Sequence, residues 1–238
     1  MTPKGSFISV LITCFNEAST IIQTIDLLIE NLNVYVDKYE LIIIDDCSTD
    51  NSVSVVKDYL LNKQTINIKF IQRSANKGFV ENVFEAANIA SGDYFWVVGG
   101  DCTVSQEACK ALLSCVGSAD VIIPYVKFYR GRGILRRIMS SLYSGIIRTS
   151  SGSTISYFNG SSIYLRSDFM REIKVANGFG YSAEILIKLE KMGREIIEVP
   201  VIYNEGKKSK STALSLKHFF EIFLLIIRLF QIRFRKLL

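Results

Sequence analysis

The sequence predicts an α/β fold, a single mostly parallel sheet wound by helices on both faces. Three observations carry that expectation. Short apolar runs alternate with helical patterns through the first half of the chain. Those runs are continuously apolar rather than alternating, as strands covered on both faces are. No internal repeat and no long linker interrupts them, so one large domain fits 238 residues.

In order, Phe7 to Ile12 reads as a strand and Ser19 to Leu32 as a helix with Ile21, Ile25, Leu28 and Leu32 on one face. Glu40 to Ile44 is a second strand, running into Asp45 and Asp46. Asp50 to Leu61 follows as a helix with Asp50 or Ser48 as its cap. Ile66 to Ile71, Gly78 to Ala90, Asp93 to Val98, Ser105 to Val116 and Asp120 to Ile123 continue the strand and helix alternation. The second half is less regular. Lys127 to Ser153 is basic and then amphipathic, Ser156 to Leu165 reads as a strand, and Gly180 to Met192 is a helix ended by Gly193. Arg194 to Tyr203 is a last strand, Lys207 to Ser211 a basic loop, and Leu214 to Leu238 one long helical pattern. The expected division is a domain over 1–210 and a C-terminal amphipathic helix over 211–238.

Hydrophobic residues make up 49% and charged ones 21%, enough for a sizeable core and against disorder. The net charge of +5 is gathered after Lys127, which points to an anionic partner: phosphates or an acidic membrane surface. Nucleic acid is disfavoured, because the basic residues interleave with aliphatic rather than stacking side chains. The five cysteines are odd in number and lack C-x-x-C spacing, so reduced thiols in the cytoplasm are expected. The opening MTPKGSFISV has no long apolar core of an export signal.

Ligands of an open parallel sheet bind beyond the carboxyl ends of its strands. Those ends carry Thr13, Phe15, Asn16 and Glu17; then Asp45, Asp46 and Asp50; then Asn76, Lys77 and Gly78; then Gly99, Gly100 and Asp101. Carboxylates gathered on one rim require donors or a cation to compensate them. A nucleotidyltransferase or a dinucleotide-binding enzyme would place glycines after the first strand, and T-C-F-N-E has none.

Taken together, V-L-I-T-C-F-N-E (Val10 to Glu17), I-I-I-D-D-C-S-T-D (Ile42 to Asp50), N-K-G (Asn76 to Gly78) and G-D-Y-F-W-V-V-G-G-D (Gly92 to Asp101) resemble glycosyltransferase family 2, with the GT-A fold. The later G-Y-S-A-E-I-L-I-K-L-E-K-M-G (Gly180 to Gly193), E-V-P-V (Glu198 to Val201) and Ser209-Lys210 look most like the dolichol-phosphate mannose synthase type. The resemblance implies an inverting transfer of sugar from a UDP or GDP sugar to a polyprenyl phosphate. The alternatives are a hydroxyl acceptor in cell-surface glycan synthesis, or a catalytically weak sugar-nucleotide binder.

It implies roles as well. Thr13, Phe15, Glu17, Asp45 and Asp46 would line the base and ribose, with Lys77 and Gly100 on the same rim. Asp101 would be the second carboxylate of a D-x-D motif, holding Mg2+ or Mn2+ on the diphosphate, with Thr103 beside it and Lys210 reaching the phosphates. The motif's first carboxylate is replaced by Gly99, and the usual proline of the first motif by Thr13. Glu184 is the candidate base for a hydroxyl acceptor. A phosphate acceptor, with its second pKa near about 6, requires none.

Phe219 to Ile232 is strongly apolar but is interrupted by Glu221 and Arg228, and falls short of the about 20 apolar residues of a spanning helix. Its basic flanks suit an in-plane helix on the cytoplasmic face of a membrane. Arg136 and Arg137 on the middle amphipathic segment, together with Lys208, are the candidate contacts to acceptor and membrane. A helix packed on the domain, or on a second subunit, is the other reading.

Overall fold

Seven runs of β-branched and aromatic residues pair into one sheet because each is flanked by a helix that can cover it. In chain order the elements are β1 (Phe7–Cys14), α1 (Ile21–Tyr35), β2 (Lys38–Asp45), α2 (Ser52–Asn62), β3 (Ile68–Gln72), α3 (Phe79–Ile89), β4 (Tyr94–Gly99) and α4 (Gln106–Leu113). They continue as β5 (Val121–Arg130), α5 (Ile134–Ser151), β6 (Ile163–Leu165), α6 (Arg166–Ile173), α7 (Tyr181–Lys191), β7 (Ile196–Asn204) and α8 (Leu216–Phe234). The computed structural model describes residues 6–63, 67–130, 134–158, 160–173, 180–204 and 216–234, without the side chains of 127–130, 134–137 and 216–221. The basic loop Lys207 to Ser211 lies outside the described residues.

The strand order is β3-β2-β1-β4-β6-β5-β7. Neighbours are parallel, except that β6 is inserted antiparallel between β4 and β5. Successive side chains serve opposite cores. Ile8, Val10, Ile12, Trp96 and Val98 join α1 and α4 on one face. Leu11, Phe95 and Val97 join α3, α6, α7 and α8 on the other. Two buried faces explain runs without alternation. The expected α/β sheet with flanking helices and a C-terminal helix is what forms.

Four details differ from the sequence expectation. The strand expected over Ser156 to Leu165 shrinks to Ile163–Leu165. Ser156 instead donates its N–H and hydroxyl to the Glu198 carboxylate, each at 2.9 Å, and the Trp96 indole donates to the Ser161 carbonyl at 2.9 Å. Helix α2 starts at Ser52, not Asp50, because Asp50 turns its carboxylate to Ser52 N–H (2.9 Å) and Ala18 N–H (3.2 Å). Strand β5 runs on to Arg130, since β7 lies parallel beside it for its whole length. Helix α6 was not anticipated at all.

Helix α8 is anchored by its inner side. Leu225 and Leu229 are fully buried, and Gly180 permits the approach: a Cβ there would lie 2.2 Å from Leu225 Cδ2. Arg233 donates to the Thr149 carbonyl at 2.9 Å and so ties α8 to the end of α5. Among the described residues no helix is long and apolar enough to cross a membrane.

Candidate active site

The rim opens where β1 parts from β4, with β2 on its other side. Thr13 is the last β1 residue in register with β4, opposite Gly99. Gly100 N–H then donates to the Thr13 carbonyl at 2.9 Å, and the Thr24 hydroxyl donates to the Gly100 carbonyl at 3.2 Å. A Cβ on Gly100 would meet Ile21 Cδ1 at 2.9 Å and Thr13 O at 3.0 Å, so the turn closes only on glycine. The same direction points to Glu17 Cβ at 3.5 Å, which places Glu17 beside the β4 turn. Glu17 also starts α1. Its carbonyl accepts the N–H groups of Thr20 and Ile21, both at 2.9 Å, and its carboxylate accepts the Thr20 hydroxyl at 2.9 Å.

The loops after β1 and β2 are fastened together. The Asn16 side-chain carbonyl accepts from Thr49 N–H at 2.8 Å and Asp50 N–H at 3.2 Å. In return Asn16 N–H donates to Ser48 Oγ (2.9 Å), and Glu17 N–H to Ser52 Oγ (2.8 Å). Asp45, fully buried, accepts Ser48 N–H at 3.0 Å and the Ser48 hydroxyl at 2.5 Å. Phe15 is left 49% exposed, an open ring face on the rim.

Asp46 fastens the third loop. Its two carboxylate oxygens accept Lys77 N–H (2.8 Å) and Gly78 N–H (2.9 Å), while Asn76 donates its side-chain amide to the Asp46 carbonyl (3.1 Å). Gly78 sits at φ +87, where a side chain is strained. The Lys77 side chain is exposed. Phe79 meets Tyr181 in a tilted ring contact with centroids 5.7 Å apart, which brings the start of α7 to this part of the rim.

After β4, the Thr103 hydroxyl donates to Asp101 Oδ1 at 2.9 Å, and no hydrogen bond is made to Asp101 Oδ2 among the described residues. Asn204 N–H donates to the Thr103 carbonyl at 2.9 Å, so the end of β7 abuts the same turn. Asn204 is the last described residue before Lys208 and Lys210, both of which lie outside the described residues. No group of three His, Cys, Asp or Glu able to enclose a metal occurs among the described residues. A hard cation here would therefore take one carboxylate, that of Asp101, and draw its other oxygens from a diphosphate and water. Mg2+ is commonly held in this way, so the donor set fits.

Among the described residues, three other than glycine occupy the left-handed region: Asn16 (φ 59), Cys47 (φ 67) and Cys102 (φ 57). Each stands two or three positions past a strand end on this rim. Such strain persists where surrounding bonds over-determine it, and it gathers at functional sites. Burial, then the charge of Asp45, pushes the Cys14 thiol up to about 12, so it is a packing group rather than a nucleophile.

Glu184 is placed differently. It is 4% exposed on α7, with Lys188 Nζ 2.9 Å from Oε1 and Arg228 Nε 3.4 Å from Oε2. The pairing continues through Lys188 to Glu172 (3.7 Å), Arg171 (3.0 Å), Asp168 (3.3 Å) and Arg194 (2.7 Å). Arg136 and Arg137 lie in α5, but their side chains are not described. The sequence reading set Asn16 on the rim without a role, gave Ser48 only a capping role and did not single out Ser52. Their signal was local: short hydroxyl and amide side chains directly after two strands, able to satisfy exposed backbone groups.

A family profile described as Glycosyl transferase family 2 matches residues 9–179. The chain is 30% identical over 132 residues to a poly(ribitol-phosphate) beta-glucosyltransferase of Bacillus spizizenii, covering 53% of this chain and 20% of that protein. Among solved structures it resembles Staphylococcus aureus TarS in complex with UDP-GlcNAc, at TM-score 0.65 and 19% identity over 93% of this chain and 66% of that one. It also resembles a mannosyltransferase of Pyrobaculum calidifontis in complex with GDP-Man and Mn2+, at TM-score 0.66 and 16% identity over 96% and 65%. The chain thus spans a fifth of the curated relative and about two thirds of the two structures.

Proposed function

Because the chain belongs to glycosyl transferase family 2, we propose that it moves a sugar from a nucleoside-diphosphate sugar to a hydroxyl of a cell-surface glycan, with inversion. The observation that carries this reading is the meeting of Glu17, Asp45 and Asp101 at the ends of three adjoining parallel strands, on loops cross-fastened by Asn16 and Asp46. The named relatives support the acceptor class. One acts on poly(ribitol-phosphate), and another is a poly-beta-1,6-N-acetyl-D-glucosamine synthase of Staphylococcus epidermidis, 29% identical over 101 residues.

The exposed ring of Phe15 offers a stacking face for a base. The fastened loops of Glu17 and Asp45 form a fixed wall for base and ribose, so little ordering remains to be done on binding. Asp101, oriented by the Thr103 hydroxyl, stands where the diphosphate would lie and would hold Mg2+ or Mn2+ there. When bound, that cation neutralises charge on the departing nucleoside diphosphate. Lys210, beyond the end of β7, is the proposed cationic partner of the phosphates.

One observation favours a second acceptor class. Glu184 is 4% exposed and its carboxylate is already engaged by Lys188 and Arg228, which leaves a hydroxyl acceptor little access to it. An acceptor phosphate, as on a polyprenyl phosphate, brings its own dianion and requires no base. Nucleotide release from UDP-Glc, UDP-GlcNAc and GDP-Man, measured with Mn2+ and each acceptor class in turn, tests both. Release stimulated by a ribitol-phosphate or glucosamine polymer supports the glycan reading, whereas stimulation by a polyprenyl phosphate alone replaces it.

A further inference from the structure

Helices α5 and α8 pack on each other and turn apolar side chains outward. On α8, Phe223 (53% exposed), Ile227 (41%), Phe230 (54%) and Phe234 (69%) recur at helical spacing on the side away from the buried Leu225 and Leu229. At a rise of 1.5 Å per residue this stripe is about 16 Å long. On α5, Ile138, Leu142 and Ile146 repeat the pattern, half-exposed, and line an open groove of about 700 Å³ with Gly145 and Thr149. Soluble surfaces seldom carry two such stripes together.

The charges on the same two helices are one-sided. Arg136, Arg137 and Arg148 fall in α5, and Lys217 and Arg233 in α8, against the single acid Glu221, while Arg228 is taken up by Glu184. Arg148 and Arg233 are exposed. We propose that the α5–α8 pair is an in-plane docking surface for an anionic lipid bilayer. The aromatic stripe would enter the acyl boundary while the exposed Arg148 and Arg233 meet headgroup phosphates. A second copy of the chain is the poorer occupant, since a self-complementary contact would set these cations against their own kind.

The test is flotation of the full chain with vesicles, which reads binding independently of any transfer activity. The chain should float with phosphatidylcholine vesicles containing phosphatidylglycerol, and at least about tenfold less with phosphatidylcholine alone or in high salt. The variant Phe223→Ser/Ile227→Ser/Phe230→Ser should lose about tenfold or more in vesicle affinity. Leu142→Ser/Ile146→Ser on α5 provides a second variant should the first fail to fold. Thermal melting and nucleotide binding check the fold of each. Absence of flotation, equal flotation of well-folded variants, or a wild-type dimer in light scattering that the variants dissolve would overturn the proposal.

Discussion

At the rim of strands β1 to β4, buried carboxylates close on backbone amides; among helices α6 to α8 they close on cations. Asp45 and Asp46 receive the N–H groups of Ser48, Lys77 and Gly78. Asp168, Glu172 and Glu184 are instead strung on one line of ion pairs from Arg194 to Arg228. The first arrangement stiffens loops around an opening and leaves Asp101 available there. The second ties three helices together and gives each of its carboxylates a cationic partner. A buried acid is thus informative about function only once its partners are known.

The largest effect expected from this contrast is at Asp101. Asp101→Asn should lower kcat/KM for nucleotide-sugar turnover by roughly 100-fold, with melting unchanged. A loss of less than about fivefold would move the diphosphate site elsewhere. Glu184→Gln should act in the opposite sense, on stability. Breaking its ion pairs should cost about 2 kcal/mol, or roughly 5 °C in Tm, because Arg228 is partly exposed and the full penalty of a buried pair is not reached. Its turnover should fall only a few-fold, and a 100-fold loss with Tm unchanged would make Glu184 the base after all. Asp46→Ala should cost about 1.5 kcal/mol and raise the donor KM several-fold, as the Lys77–Gly78 loop loses both bonds.

A smaller effect lies at the far end of the sheet, where Glu40 is 1% exposed. Burial raises its pKa, but the bonds from Lys69, Ser9 and Ser91 outweigh that and hold it below the usual range. A depressed carboxylate contributes stability that is present above its unfolded pKa and is lost as pH falls through the folded value. Glu40→Gln should therefore flatten the acid limb of a Tm-against-pH curve and leave nucleotide binding untouched. The smallest effect is expected from Gly99→Asp. A Cβ there would lie 2.8 Å from Asp101 Oδ1, so the new carboxylate would stand beside the old one. Mn2+ affinity should rise a few-fold, with stability slightly lowered when no cation is present.

The contrast also explains what could be read from the sequence. Strands β1 to β4 were legible because each apolar run is local and ends in polar residues whose partners lie in neighbouring loops. Helix α6 was not, since Phe169, Met170 and Ile173 are its only apolar side chains and its acids are satisfied by Arg194 and Lys188 from other elements. The pairing of β5 with β7 joins residues far apart in the chain, so Asp120 to Ile123 alone gave no sign that the strand continued. Glu184 was visible as a residue on the late helix, but not as the partner of Arg228, because that contact depends on α8 docking against Gly180.

The most direct test of the central claim is a calorimetric titration of UDP and GDP sugars into the full chain, with Mn2+ and with chelator, for wild type and Asp101→Asn. The account predicts saturable binding of at least one nucleotide sugar that weakens about tenfold or more on chelation and is already weak in the variant. Binding of equal strength in all three conditions, or of no nucleotide sugar at all, would contradict it.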